Sequence, residues 1–365
     1  MTHFHQFLSA SREIGPFSFR RTLLLASIVM ASSFSAACSS DSNNNDATGG
    51  SGQGGAGNNA GASNNAGATN TGGGSNQAAE YAPCDDAERI GRIALKVVPQ
   101  SSMGGGYTEL NGAVYDKVDP ANVWVEKKTE GDCRLVTGPK LSCAPSCESG
   151  QVCAGNNVCT SAPVGQNAGT ISVAGLSSAL SSEFKANVYY KPFTGSFPPA
   201  PAGTALTLSA SGGMVPAFSI PANGIDPLVV AEEDISLDTT KPLTIAWDAP
   251  SKPSVSRVVI SLDLAHHGNV AAKLICDVED TGSATIPVSM LTALAAEGVA
   301  GFPSVAITRQ SANSTNVANG CVEFDVSSSV DRQLLLPGVV SCMCPNSTCE
   351  PCTASQVCKA NYTCG

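Results

Sequence analysis

Cysteine constrains this chain more than any other residue type. Fifteen cysteines in 365 residues are far too many for a cytosolic enzyme and point to folding in an oxidising compartment. Their placement is patterned. Residues 147–159 can be laid over residues 352–364 with six of thirteen positions identical: three Cys, plus Gln, Val and Asn. Each copy has a further cysteine upstream, Cys143 and Cys349, and the second copy adds Cys342 and Cys344. Neither copy carries the apolar residues for a core of its own. Such segments hold their shape through crosslinks contributing about 2–4 kcal/mol each. The connectivity stays open, since roughly three pairings exist for four cysteines and about fifteen for six. Zinc is the competing use of Cys349, Cys352 and their neighbours. A zinc ribbon wants two Cys-x2-Cys knuckles, however, and no histidine lies near either cluster. A redox dithiol would want a βαβ setting that is missing here. The cysteines Cys147, Cys153, Cys159, Cys352, Cys358 and Cys364 therefore read as structural staples.

The start of the chain reads as an address. Arg12, Arg20 and Arg21 precede an apolar run opening at Leu23, too short for the roughly 20 residues that span a bilayer but suited to a signal peptide. Small residues Ser35, Ala36 and Ala37 then precede Cys38. This segment resembles a bacterial lipoprotein signal, in which the cysteine receives a diacylglyceryl group and becomes the mature N-terminus, although Ser35 stands where Leu is usual. The same small residues would serve ordinary signal peptidase, leaving a soluble secreted chain. Lipidation of Cys38 leaves fourteen cysteines, an even number that can pair fully. Residues 39–79 follow as Gly, Asn, Ala and Ser repeats with only Asp41 and Asp46 charged. That composition cannot bury enough apolar surface to offset ordering entropy, so a disordered tether with a span of about 35 Å is expected. Such a spacer is useful to an anchored protein that must clear headgroups or surface polysaccharide, which favours membrane attachment.

Signal, tether and cysteine repeats together resemble the Cys-rich extracytoplasmic lipoproteins of myxobacteria and related bacteria. That resemblance implies a tether followed by β-rich modules and brings no activity with it. Ser39 is not the Asp that favours inner-membrane retention, so the resemblance implies the outer membrane.

Between the cysteine segments the period is two. Ile93, Leu95 and Val97 alternate with polar or small residues, and residues 206–209, 243–248, 260–264 and 322–326 repeat the pattern. This predicts strands with one face buried and one wet. Pro, Gly, Asn and Asp punctuate the intervals. Charged residues are only 14 % and aromatic residues 5 %, with 36 Gly and 22 Pro, which suits short strands and turns better than long helices. Two short helices are expected at 177–184 and 289–297, the second closed by Gly298. The fold class expected is all-β: an antiparallel β-sandwich-type region with two small disulfide-rich segments, preceded by the disordered tether. The divisions are 1–37 signal, 38–79 lipidated cysteine and tether, 80–142 N-terminal β region, 143–162 first cysteine repeat, 163–340 β-sandwich region and 341–365 second repeat. The β part is one large unit or two, and a strand at 169–173 makes the first repeat an inserted excursion. Trp124 and Trp247 read as strand residues that pack rather than as a binding platform. Cys84 with Cys133, and Cys276 with Cys321, is the pairing expected within the β region.

Chemistry is sparse. Beyond His3 and His5 in the signal, only His266 and His267 remain. With Asp263 they would make a metal or base site lacking a third ligand, and an exposed turn is the simpler reading. No Gly-x-Ser-x-Gly elbow, P-loop or strand-linked Gly-x-Gly-x-x-Gly occurs. Asp277, Glu279 and Asp280 form an acidic turn that offers weak calcium candidates without EF-hand spacing. No catalytic residue, cofactor or further metal site is nominated. A formal charge of −10 argues against nucleic acid as a partner. The leading expectation is a non-enzymatic, lipid-anchored surface protein with a binding or structural role in the envelope. Its partners would be the membrane, through its anchor, and a surface protein or polysaccharide. A hydrolase of polysaccharide or peptide is the alternative, since paired carboxylates meet only in the fold, and a calcium-dependent adhesion module is the third.

Overall fold

The computed structural model describes residues 79–100, 104–139, 143–264, 272–299 and 302–339, with 352, 356–359 and 363–364. Cys38, the signal, residues 39–78 of the tether, His266, His267, Cys342, Cys344 and Cys349 lie outside the described residues.

The alternating runs fold as strands. In chain order these are β1 Arg89–Val98, β2 Tyr107–Val114, β3 Val125–Glu130, β4 Cys133–Thr137, β5 Gln151–Cys153, β6 Cys159–Ser161, β7 Ile171–Ala174, β8 Leu180–Ser182 and β9 Tyr189–Pro192. They continue with β10 Ala205–Ala210, β11 Phe218–Asn223, β12 Asp234–Ser236, β13 Leu243–Ala246, β14 Arg257–Asp263, β15 Ala272–Glu279 and β16 Ser283–Ile286. One helix, α1 (Val288–Glu297), precedes β17 (Ser304–Val317) and β18 (Gly320–Leu335). The helix buries Met290, Leu291 and Leu294 at helical spacing, and the N–H of Gly298 closes it onto the Ala295 carbonyl. The helix expected at 177–184 is instead β8. Leu176, Leu180 and Phe184 mimic a helical stripe, but the intervening serines form helices poorly, and pairing with β7 turns Leu180 and Ser182 inward.

Ten strands form one sheet in the order β3-β4-β15-β14-β17-β18-β1-β2-β9, with β12 also pairing β18. The sheet is mixed rather than purely antiparallel, because β1 and β12 both run parallel to β18. Its centre is the β17–β18 hairpin, paired continuously from Ser304–Gln333 to Val317–Gly320. Gly320 allows the tight end: a Cβ there would meet the Glu88 carbonyl at 2.7 Å, at a φ of +151°.

One face of this sheet packs two separate cores. Leu135, Leu274, Ile260, Ile307 and Leu334 meet Ile245, Ile286 and Leu291 in the first, beneath the β13–β16 pair and α1. Leu95, Leu110 and Phe324 meet Ile171, Leu208 and Ile220 in the second, beneath the sheet β11-β10-β7-β8. The long hairpin serves both, its two ends lying in different cores. Between them the same face carries buried Arg309, Ser311 and Ser328. The result is two sandwich-like halves on one continuous sheet.

The cysteine repeat is also a structural repeat. Cys147–Cys159 and Cys352–Cys364 are disulfides of equal sequence separation, 12 residues, with Cα–Cα distances of 5.6 and 5.4 Å. Cys153 faces Cys159 in β5–β6 as Cys358 faces Cys364. The Ala154 N–H reaches the Val158 carbonyl just as Lys359 reaches Thr363. In the first copy Cys143 pairs with Cys153, giving an interlaced pattern.

The pairing expected in the β region is corrected. Cys84 joins Cys321 and Cys133 joins Cys276. Strand order decides this: β4 lies against β15 with Cys133 directly opposite Cys276, whereas Cys84 sits beside the start of β18. Trp124 immediately precedes β3 and Trp247 immediately follows β13, so neither lies within a strand.

Candidate functional site

The candidate site is the second face of the ten-stranded sheet, opposite the cores. The alternation that sends Ile93 and Leu95 inward sends Arg92 and Lys96 outward. Register then aligns Arg92 with Glu323, Lys96 with Ser327, Asn111 with Tyr190, and Thr308 with Ser329. Arg257, Lys273 and Asp277 continue this polar face through β14 and β15.

A strap crosses part of it. The Ala82 N–H bonds the Ala312 carbonyl, Ser314 Oγ donates to the Ala82 carbonyl, and the Cys84–Cys321 disulfide pins the end. Ala79 already belongs to this body, exchanging hydrogen bonds of 2.9 Å with the Asn223 side chain. Tyr81, on the strap, donates to Asp277 Oδ2 at 2.9 Å and accepts from Gln310 Nε2 at 2.6 Å. Burial, reinforced by the Asp277 charge, pushes the Tyr81 phenol well above its ordinary value.

Beneath the strap two carboxylates sit on alternate residues of β18. Glu323 and Asp325 are 2 % and 1 % exposed, although the alternation in 322–326 had marked them as the wet side of a strand. The covering groups explain the difference. Glu323 Oε2 accepts from the Cys84 N–H at 3.0 Å and faces Arg89, while its Oε1 meets Arg92 Nε at 3.2 Å. Arg92 Nη2 reaches Asp325 Oδ2 at 2.7 Å. The Asp325 charge, against the cost of burial, holds the Arg92 guanidinium above its ordinary value. Among the described residues Asp325 Oδ1 has no hydrogen-bond partner.

Three cavities meet around Arg92. One of about 430 Å³ includes Tyr81, Trp124, Arg134, Lys273 and Glu323. A second of about 490 Å³ includes Lys96, Asn111, Thr308, Asp325 and Asp331. A third of about 470 Å³ includes Asn111, Asp119 and Tyr190. Each lies within the size range of small-ligand sites. Lys273 Nζ stands 5.1 Å over the Trp124 ring, and Arg257 5.6 Å over Tyr81. Trp124 thus stands beside the open face, half-buried, whereas Trp247 packs in the core.

The acidic turn of the sequence does not converge. Asp277 is held by Tyr81 and by Arg257 Nε at 2.6 Å. Asp280 is buried on Arg309, Trp247 and Ser256. Glu279 lies exposed at the end of β15. Among the described residues the one cluster with converging metal-type ligands is Cys143, Cys147 and Cys159, and all three are in disulfides. The carboxylates that do meet, Glu323 and Asp325, are tied to arginine rather than presented as a free acid and base. No helix among the described residues is long and apolar enough to cross a membrane.

No family model matches the chain, and no curated protein matches it. Among solved structures, the FN1–FN3 domains of chicken CNTN1 are similar at 12 % identity, covering 62 % of this chain and 78 % of that one, with a TM-score of 0.18. At that score the fold is read from this chain's own strands. The multiple disulfides fit an extracellular or other oxidising compartment.

The sequence pointed to none of Arg92, Asp325, Tyr81 or Lys273 as site residues. The one available signal was charge at four of the five outward positions of 92–96 and 322–326, namely Arg92, Lys96, Glu323 and Asp325, a density high for a merely wet strand.

Proposed function

We propose that this protein is a non-enzymatic binding protein, attached to the cell envelope through lipid on Cys38 and contacting its ligand with the polar face of the ten-stranded sheet. The observation that carries the reading is the concentration of cavities, half-buried aromatic groups and mixed charge on that one face, around Arg92. Disulfides and paired strands hold these groups in place before a ligand arrives, which lowers the ordering cost of binding. The anchor and tether would set this rigid body off from the lipid surface.

Two measurements test it. Intact mass of the mature protein from its native host, alkylated without reduction, should begin at Cys38 with acyl chains and carry no alkylated thiol. A bare polypeptide would overturn the anchor. Co-sedimentation of the Cys38→Ala chain, which carries no acyl group, with isolated envelopes should fall at least tenfold on Arg134→Glu or Lys273→Glu and hold for Lys241→Glu, away from this face. Equal sedimentation by all variants would overturn the binding face.

A further inference from the structure

Asp325 presents a problem that the fold does not solve. Its side chain is buried, Oδ2 takes Arg92, and Oδ1 takes nothing. A buried acceptor left without a donor costs about 1–3 kcal/mol, more when charged. Asp325 also lines the cavity of about 490 Å³ on the sheet's polar face, so a group entering there can supply the donor.

The lining narrows what that group is. Arg92 and Lys96 bring two positive charges, and Asp325 and Asp331 two negative ones, among Asn111, Thr308 and Ser327. A metal cation would meet Arg92 only 2.7 Å from Asp325, and an anion would meet both aspartates. A neutral ligand rich in hydroxyl groups satisfies each side: a hydroxyl donates to Asp325 Oδ1 and a neighbouring one accepts from Lys96 or Asn111.

A second observation extends the site. Asn111 and Arg92 also line the cavity that holds Tyr190, and Tyr190 lies opposite Asn111 in the β2–β9 register. Tyr107 stands on the same side of β2 as Asn111, four residues away. Tyr107 and Tyr190 are 53 % and 56 % exposed, amphipathic rings open to solvent at the sheet margin. Aromatic faces of this kind pack against the C–H surface of a sugar ring while its hydroxyls remain hydrogen-bonded.

The geometry points to a neutral oligosaccharide site running from Tyr190 past Asn111 and Arg92 to Asp325. This rests on the binding-face reading above and names its ligand class. Arg92 is half-exposed, so its side chain can move to admit a hydroxyl to Oδ1.

Isothermal titration of the full mature protein with maltohexaose, cellohexaose, laminarihexaose and hexa-N-acetylchitohexaose tests the site. At least one should bind. Asp325→Asn, Lys96→Ala and Tyr190→Ala should each weaken that binding at least tenfold; the last two change exposed groups, so an unchanged melting temperature separates lost binding from lost fold. Binding unaffected by Tyr190→Ala and Lys96→Ala overturns the location. Binding only of polygalacturonate, an anionic polymer, overturns the ligand class. If none of the four neutral oligosaccharides binds while envelope sedimentation still depends on Arg134 and Lys273, the saccharide inference falls and the binding face stands. If sedimentation is also independent of those residues, both fall.

Discussion

Arg309 grips Asp280 with two hydrogen bonds, Nε to Oδ2 at 2.6 Å and Nη2 to Oδ1 at 3.1 Å, and both side chains are at most 1 % exposed. Both side chains make further hydrogen bonds. Asp280 accepts from Trp247 Nε1 and Ser256 Oγ, and Arg309 donates to the carbonyls of Pro227 and Asp248. With Ser311 and Ser328 this cluster forms a polar seam where the two cores meet on the β17–β18 hairpin. Such a seam opposes slippage of the hairpin, because a one-residue shift would turn Arg309 outward and every apolar neighbour with it.

Arg309→Met should therefore destabilise the protein by about 3–5 kcal/mol, since Asp280 would be left buried and uncompensated. Pairing it with Asp280→Asn should recover part of that loss, as the amide oxygen can still accept from Trp247. Urea denaturation of the two singles and the double reads a coupling above about 1 kcal/mol. Additive losses would mean that the pair does not act as a unit.

Tyr81 gives a pH signature. Its phenol is raised by burial first and by Asp277 second. The folded state then keeps a proton that the unfolded chain releases above about pH 10. That contribution is complete below the unfolded value and is lost as pH climbs toward the folded one. Stability should fall above about pH 10, and Tyr81→Phe should flatten that fall. Ultraviolet titration should show a late-ionising tyrosine in the wild type that the variant lacks. An identical alkaline profile for both would refute the assignment.

Asp238 behaves oppositely at the acid end. The Thr240 hydroxyl, then the Thr240 N–H, then Lys241 lower its carboxyl to about 2, with Oγ1 at 2.6 Å and N at 2.9 Å from Oδ1. The stabilising effect is present above the ordinary carboxylate value and disappears as pH drops toward about 2. An NMR titration should place the Asp238 midpoint near 2, and Thr240→Val should raise it toward the ordinary range. A midpoint that ignores the substitution would rule out the Thr240 hydroxyl as the main cause.

Local pattern carried the strands well. Alternation at Ile93, Leu95 and Val97 located β1, and helical spacing in 289–297 located α1 to within one residue. The thirteen-residue cysteine overlay marked two segments held by crosslinks, while their hairpin and the matching Cys147–Cys159 and Cys352–Cys364 bridges came from the fold. Long-range pairing was not legible. Nothing local says that β1 lies parallel beside β18, and without that neighbour Arg92 and Asp325 are merely charges on separate strands. The same gap misassigned Cys84 and Cys276, which pair by strand order rather than by proximity in sequence. The buried state of Glu323 depends on a strap and a disulfide that bring residue 84 over β18, a relationship no period of two contains.

That disulfide should also dominate stability. Cys84–Cys321 closes 237 residues, whereas Cys147–Cys159 closes 12. The loop-entropy relation gives about 5 kcal/mol for the first and about 3 for the second. The nested Cys133–Cys276 bridge, spanning 143 residues, shortens the outer loop, but the dependence is logarithmic and the ranking holds. Losing Cys84–Cys321 would also free the strap, uncovering Glu323 and withdrawing the Cys84 N–H from it. Cys84→Ser with Cys321→Ser should thus lower the melting temperature and speed amide exchange at position 84 and across the β1–β18 pairing. Cys147→Ser with Cys159→Ser should leave that pairing protected and loosen only β5 and β6, because this hairpin contributes no side chain to either core. Equal loss of protection at β18 in both double variants would show that the cysteine hairpin, and not the strap alone, supports the central sheet.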